Sequence, residues 1–147
     1  MGRLTESLPP GPIAIDTAIF IYFAERHARY AQAIRPLFEA ADRGEVELVT
    51  SAVTLLEVLV VPYRSGNAAL ASRYEALLTR SRGMTMVALS RPVLKAAAHL
   101  RAVHGVRTPD ALQLAASLQA RCACLLTNDR RIPSLPTLPV VQLADVL

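Results

Sequence analysis

The chain is short of cysteine, lysine and histidine, and it has no long apolar run. Each shortage excludes something. The two cysteines, Cys122 and Cys124, flank a single alanine. That alternation suits a strand edge better than a disulfide or a zinc site, so both are read as buried or half-buried free thiols. His27, His99 and His104 form no metal pattern, because residues five apart on a helix do not share a face; they are read as surface or capping groups. The longest apolar stretches, residues 18–24 and 52–61, are too short to span a bilayer, and Glu57 interrupts the second. The start of the chain lacks a basic segment followed by an apolar core and a small-residue cleavage site, and Glu6 breaks the myristoylation pattern that Gly2 would open. The expectation is a cytoplasmic protein with no membrane segment.

What is present points to a folded domain. The chain has 147 residues, 52% of them hydrophobic, which is enough for one core and argues against disorder. A single domain is expected over residues 1–147, with no internal repeat or linker. The first dozen residues, which carry Pro9, Pro10 and Pro12, are expected to form a flexible lead-in. Of the 16 basic residues only Lys95 is not arginine, and the formal charge is +4. Such a surface attracts a polyanion, although a solvated, arginine-biased surface explains the charge equally well.

Five short β-rich segments, near residues 13–15, 46–49, 84–88, 122–126 and 138–141, alternate with helical periodicity near 18–25, 29–41, 52–60, 68–79, 92–103 and 109–120. The alternation predicts an α/β sandwich with a mainly parallel sheet. Punctuation agrees with it. Gly44 ends the second of these helices, Ser51 can cap the third, Ser90 with Pro92 opens the fifth, and Gly105 closes it. Thr108 and Pro109 then read as N-cap and first helical residue, while Pro133, Pro136 and Pro139 mark a turn-rich path to the last strand.

Four acids stand beside core segments. Asp16 follows Ile13-Ala14-Ile15, Glu57 lies within residues 52–61, Asp110 opens an apolar helix, and Asp129 comes soon after Cys124-Leu125-Leu126. A carboxylate so placed is costly unless it is paired or binds a cation, so four of them suggest one shared divalent-metal site. In open parallel sheets that site lies beyond the carboxyl ends of the strands, where strand order reverses. Taken singly, Asp16 reads equally as a helix cap, Asp110 as a complement to a helix dipole and Asp129 as a turn residue. No cap accounts for Glu57, which instead reads as part of a half-exposed helix face or an arginine's partner.

Together, Ile13-Ala14-Ile15-Asp16-Thr17, Ser51-Ala52-Val53-Thr54-Leu55-Leu56-Glu57, Arg107-Thr108-Pro109-Asp110-Ala111-Leu112-Gln113-Leu114-Ala115 and Leu126-Thr127-Asn128-Asp129-Arg130 resemble the PIN-domain ribonucleases, and among them the VapC-like toxins of toxin–antitoxin pairs. The resemblance runs over nearly the whole chain. It implies a three-layer α/β/α sandwich around a five-stranded, mainly parallel sheet, and all four acidic positions of the family are occupied. It also implies an RNA substrate, a small antitoxin that covers the acidic crevice, and a homodimer.

Phosphodiester hydrolysis suits the four carboxylates, since hard cations take oxygen ligands, activate water and neutralise phosphate charge. Asp16, Glu57, Asp110 and Asp129 are the candidate catalytic and metal-binding residues, expected to hold one or two Mg²⁺ or Mn²⁺ ions. Thr17, Thr127 and Asn128 are expected to support them by hydrogen bonds, and Arg107, Arg130 and Arg131 to hold phosphates, solvated surface arginines being the alternative. A non-catalytic RNA-binding or scaffolding domain is a second reading. A metal-dependent phosphatase or DNA nuclease, which shares the carboxylate logic, is a third.

Overall fold

The computed structural model describes residues 3–147. Short β-branched and apolar runs form five strands: Ile13–Ile15 (β1), Leu48–Ser51 (β2), Met84–Val87 (β3), Cys124–Thr127 (β4) and Val140–Gln142 (β5). The helices are Arg3–Ser7 (α1), Thr17–Ala24 (α2), Ala31–Asp42 (α3), Val53–Ser65 (α4), Ala68–Arg80 (α5), Arg91–His104 (α6) and Thr108–Gln119 (α7). The sheet order is β3-β2-β1-β4-β5 and every neighbouring pair is parallel. This is the α/β sandwich with a parallel sheet that the alternation predicts, in the three layers that the resemblance implies.

Strand alternation divides the core into two halves. Ile13, Ile15, Leu48, Cys124 and Leu126 face one side and pack with Ile19, Phe20, Ile34, Leu37, Val58, Tyr74 and Leu78 from α2 to α5. Ala14, Val49 and Leu125 face the other side, against Val93, Ala97, Ala111, Leu114 and Ala115 of α6 and α7. Each fully buried Ile, Leu or Phe contributes about 1.5–3 kcal/mol relative to exposure, so both faces of the sheet are firmly held. The chain winds from β1 outward to β3, then returns to the other side of β1 for β4. The carboxyl ends of β1 and β4 therefore flank the reversal point, where a crevice opens in such sheets.

Several boundaries differ from expectation. Instead of a flexible lead-in, residues 3–7 form α1, and Leu4 is buried among residues such as Leu37; Met1 and Gly2 lie outside the described residues. Helix α4 runs on through Pro62 to Ser65, giving up the bond that the proline nitrogen cannot make to the Val58 carbonyl, with the proline ring buried. The last strand starts at Val140, because Leu135 and Leu138 pair with each other in a tight turn ahead of Pro139. The cap of α7 is Arg107, with Thr108 already helical. Ser51 precedes the Ala52 cap of α4, and its hydroxyl accepts from the Val53 N–H. Gly44 and Gly105 do lie in the left-handed conformation that helix ends favour, and Ser90 does cap α6. Both cysteines are free and buried, but Cys122 precedes β4 and packs in the opposite half of the core from Cys124. No helix among the described residues is long and apolar enough to cross a membrane.

Candidate active site

The first acid is fixed by the end of β1. Asp16 is the N-cap of α2, its backbone N–H bonds to the Leu126 carbonyl of β4, and its carbonyl accepts from Ile19. The residue is only 8% exposed. Thr127, the last residue of β4, donates its hydroxyl to Asp16 Oδ2. Asp16 Oδ1 has no hydrogen-bond partner; among the described residues it and Gln142 Oε1 are the buried side-chain polar atoms left so. Burial pushes the Asp16 carboxyl up from 3.8 to about 6; the Thr127 hydroxyl and the nearby Ile19 and Ala18 amides oppose that rise, and the negative charge of Asp110 adds to it.

Asp129 is tied to the same threonine. Its backbone N–H donates to Thr127 Oγ1 at 3.0 Å, so one hydroxyl serves both acids' segments. Its carboxylate accepts the Arg131 Nε–H and Nη2–H at 3.0 and 2.9 Å, and the Arg131 backbone N–H at 2.9 Å. These bonds, with help from Arg107, hold it below the usual carboxylate range. Asp110, also 8% exposed, sits in the first turn of α7, where the helix dipole favours a negative charge. Arg107 bridges the two acids, donating from Nε to Asp110 Oδ2 at 3.2 Å and from Nη2 to Asp129 Oδ2 at 3.3 Å.

Glu57 enters from α4. Thr17 Oγ1 donates to its Oε1 at 2.5 Å, which places Glu57 one residue from Asp16 along the bonding chain. Thr17 also contacts Thr54 Oγ1 at 3.2 Å, and Thr54 in turn contacts Thr50 Oγ1 at 2.8 Å. Gln113 Nε2 donates to Thr54 at 2.6 Å, while its Oε1 accepts from the Ser51 N–H at 3.2 Å. This buried amide locks the strand end of β2 to α7. Sequence reasoning missed Gln113 and Thr50; the signal for Gln113 was its position three residues after Asp110, on the same helical face.

The four acids therefore gather at one end of the sheet, Asp16, Asp110 and Asp129 through Thr127 and Arg107, and Glu57 through Thr17. They are interleaved with arginines, and no three His, Cys, Asp or Glu side chains among the described residues form a ready cation cage. Asn128 donates to the Tyr22 hydroxyl at 3.5 Å and accepts the Ala144 N–H at 3.1 Å, bracing the Asp129 turn. Arg130 stands apart from Arg107 and Arg131, because its guanidinium pairs with Asp145 at 2.6 Å.

Residues 13–138 match the PIN domain family. Comparison with curated proteins found no match. Among solved structures, a toxin–antitoxin complex from Klebsiella pneumoniae is 21% identical, with a TM-score of 0.66 over 88% of this chain and 96% of that one. VapBC2 from Rickettsia felis, bound to a DNA fragment from its promoter, is 17% identical, with a TM-score of 0.64 over 89% and 98%. VapC20 of Mycobacterium tuberculosis, a toxin that cleaves the sarcin-ricin loop, is 14% identical, with a TM-score of 0.63 over 77% and 86%. At these identities the likeness is one of fold.

Proposed function

The chain belongs to the PIN domain family, and from that premise we propose that it is a divalent-metal-dependent endoribonuclease and the toxin of a toxin–antitoxin pair. The observation that carries the reading is Asp16: a buried carboxylate with one oxygen lacking any partner, set at the reversal point of a parallel sheet beside two further aspartates. A buried charge left so is expensive, and a hard cation relieves it. The donor set is all oxygen, which suits Mg²⁺ or Mn²⁺. Asp16, Glu57, Asp110 and Asp129 would hold one or two ions, whose chemistry is to activate water and neutralise the scissile phosphate.

The protein's own groups have defined work. Thr127 fixes the orientation of Asp16 and the path of the chain at Asp129. Thr17 aims Glu57. Arg107 and Arg131 neutralise Asp110 and Asp129 when no cation is present, and their exposed guanidiniums are suited to phosphate oxygens once the acids are otherwise engaged. Arg130 already has an acidic partner and is the weakest of the three candidates for that role. Toxin–antitoxin complexes among the similar structures support an antitoxin partner for this chain; a homodimer is the further expectation that family membership brings. VapC20's target supports RNA as the substrate.

One observation favours a second reading. Arg107 and Arg131 satisfy Asp110 and Asp129 without metal, as they would in a non-catalytic RNA-binding domain. Incubating the purified chain with total cellular RNA, with Mn²⁺ or with EDTA, and mapping new RNA ends separates the two. Discrete new ends in Mn²⁺ alone are expected. RNA binding indifferent to EDTA, with no cleavage at any metal concentration, would refute the enzyme. DNA and phosphomonoester substrates in parallel test the broader phosphoesterase readings.

A further inference from the structure

The loop between α2 and α3 carries an aromatic cluster that the acid site does not use. Helix α2 ends in a Schellman turn: the Arg26 N–H bonds to the Phe23 carbonyl and the His27 N–H to the Tyr22 carbonyl. Arg26 occupies the left-handed position at φ 54°, where glycine is usual. The turn folds His27 back over its own helix. The His27 ring lies 4.8 Å from Tyr22, centroid to centroid, and 5.0 Å from Tyr30, stacked within 24° of it. Tyr22 and Tyr30 are themselves 4.9 Å apart, and the Arg29 guanidinium lies 5.1 Å from the Tyr30 ring centroid.

His27 is held in place. Its Nδ1 accepts the backbone N–H groups of Arg29 and Tyr30 at 3.1 and 3.2 Å, which puts the proton of the neutral ring on Nε2. Tyr30 is buried beneath it, whereas His27, Arg26 and Arg29 are exposed. A fixed, exposed ring between two arginines is an unusual use of surface. It is connected to the acids, since the Tyr22 hydroxyl accepts from Asn128, the residue before Asp129. Along α2, Tyr22 lies six residues beyond Asp16, about 9 Å of helix rise. That is roughly the length of two to three stacked nucleotides at about 3.4 Å each.

We infer that His27, backed by Tyr22 and Tyr30 and flanked by Arg26 and Arg29, is a stacking platform for an unpaired nucleobase of a single-stranded RNA whose phosphodiester lies at the acids. The inference rests on the ribonuclease reading and adds a base-binding subsite to it. The two arginines supply phosphate attraction, and the ring supplies a sequence-tolerant aromatic face. Because a paired base cannot leave its stack without cost, the platform selects loops and single strands over duplex.

The test uses His27→Asn. The asparagine Oδ1 can replace Nδ1 as acceptor for the two backbone amides, so the loop is kept while the ring is removed. Binding of a fluorescent single-stranded oligoribonucleotide is measured by anisotropy in EDTA, for the wild-type chain and the variant. About a tenfold loss of affinity is expected, the scale of one base–aromatic stack, with the variant still unfolding cooperatively and its Tm lowered only by the lost ring contacts. His27→Phe keeps a ring but gives up the two amide bonds to Nδ1, and should bind more tightly than His27→Asn. Wild-type affinity in His27→Asn, or equal binding of duplex and single strand by the wild type, overturns the platform. If that happens while the wild type still cleaves RNA in Mn²⁺, the ribonuclease reading stands. If the wild type neither binds nor cleaves RNA, both fall.

Discussion

Replacing Asp16 with asparagine should change how stability depends on pH, in a direction opposite to the usual behaviour of a folded carboxylate. Desolvation raises the folded carboxyl from 3.8 to about 6, despite the Thr127 hydroxyl that favours its charged form. A folded value above the unfolded one means that the folded state binds the proton more tightly. The associated stability is fully present below about 3.8 and is lost as pH rises through about 6. At about 1.4 kcal/mol for each tenfold change in proton affinity, the whole effect is about 3 kcal/mol, most of it between pH 4 and pH 8. Asparagine does not titrate, and the other ionisable groups are common to both chains. Any constant offset of the variant from wild type, set by the new partner its amide needs, does not vary with pH. Urea unfolding followed by circular dichroism in EDTA should therefore show the variant gaining about 2.5 kcal/mol on the wild type from pH 4 to pH 8. A difference that stays flat across that range would refute the claim that Asp16 is a desolvated charge awaiting a counter-ion.

Other substitutions probe the scaffold and the arginines. Gln113→Leu leaves the Ser51 N–H without its acceptor and the Thr54 hydroxyl without its donor, and should cost about 1–3 kcal/mol in denaturant unfolding. Gly83→Ala puts a Cβ 2.3 Å from the Ala41 carbonyl oxygen at φ +73°, so it should cost more than the roughly 1 kcal/mol expected of Gly66→Ala, which has a similar φ and open space. Equal losses at the two glycines would show that the Ala41 contact does not matter. Arg107→Gln removes a cation that competes for Asp110 and Asp129; calorimetric titration should show Mn²⁺ binding about threefold more tightly, the scale of an exposed ion pair, with weaker RNA binding in the same variant. Unchanged Mn²⁺ affinity would mean that the guanidinium does not contest the site.

The sheet was legible because helical segments separate the first four strands, and because residues such as Ile13, Ile15, Leu48 and Leu126 leave no other face to bury. The placement of Asp16 and Asp129 followed from strand ends and the reversal rule, and both do flank the junction of β1 and β4. Helix α1 was not legible: a five-residue helix anchored by Leu4, ahead of three prolines, has no periodicity to detect. The helical pattern near 52–60 stops short of the end of α4, which continues through Pro62 at the loss of one backbone bond and buries the proline ring. The hydroxyl and amide network of Thr50, Thr54 and Gln113 depends on contacts between residues up to 63 positions apart, which no local pattern encodes. The same holds for the arginines. Arg130 and Arg131 are neighbours in sequence, yet one pairs with Asp145 and the other with Asp129.

A cation site centred on Asp16 and built from acids of separate segments must lose affinity when that carboxylate is removed. Equilibrium dialysis of Mn²⁺ against the wild-type chain and Asp16→Asn, both with native circular dichroism, measures this without any substrate. The wild type should bind one or two ions and the variant should bind at least tenfold more weakly, about 1.4 kcal/mol or more. Equal Mn²⁺ binding by the two chains would contradict it.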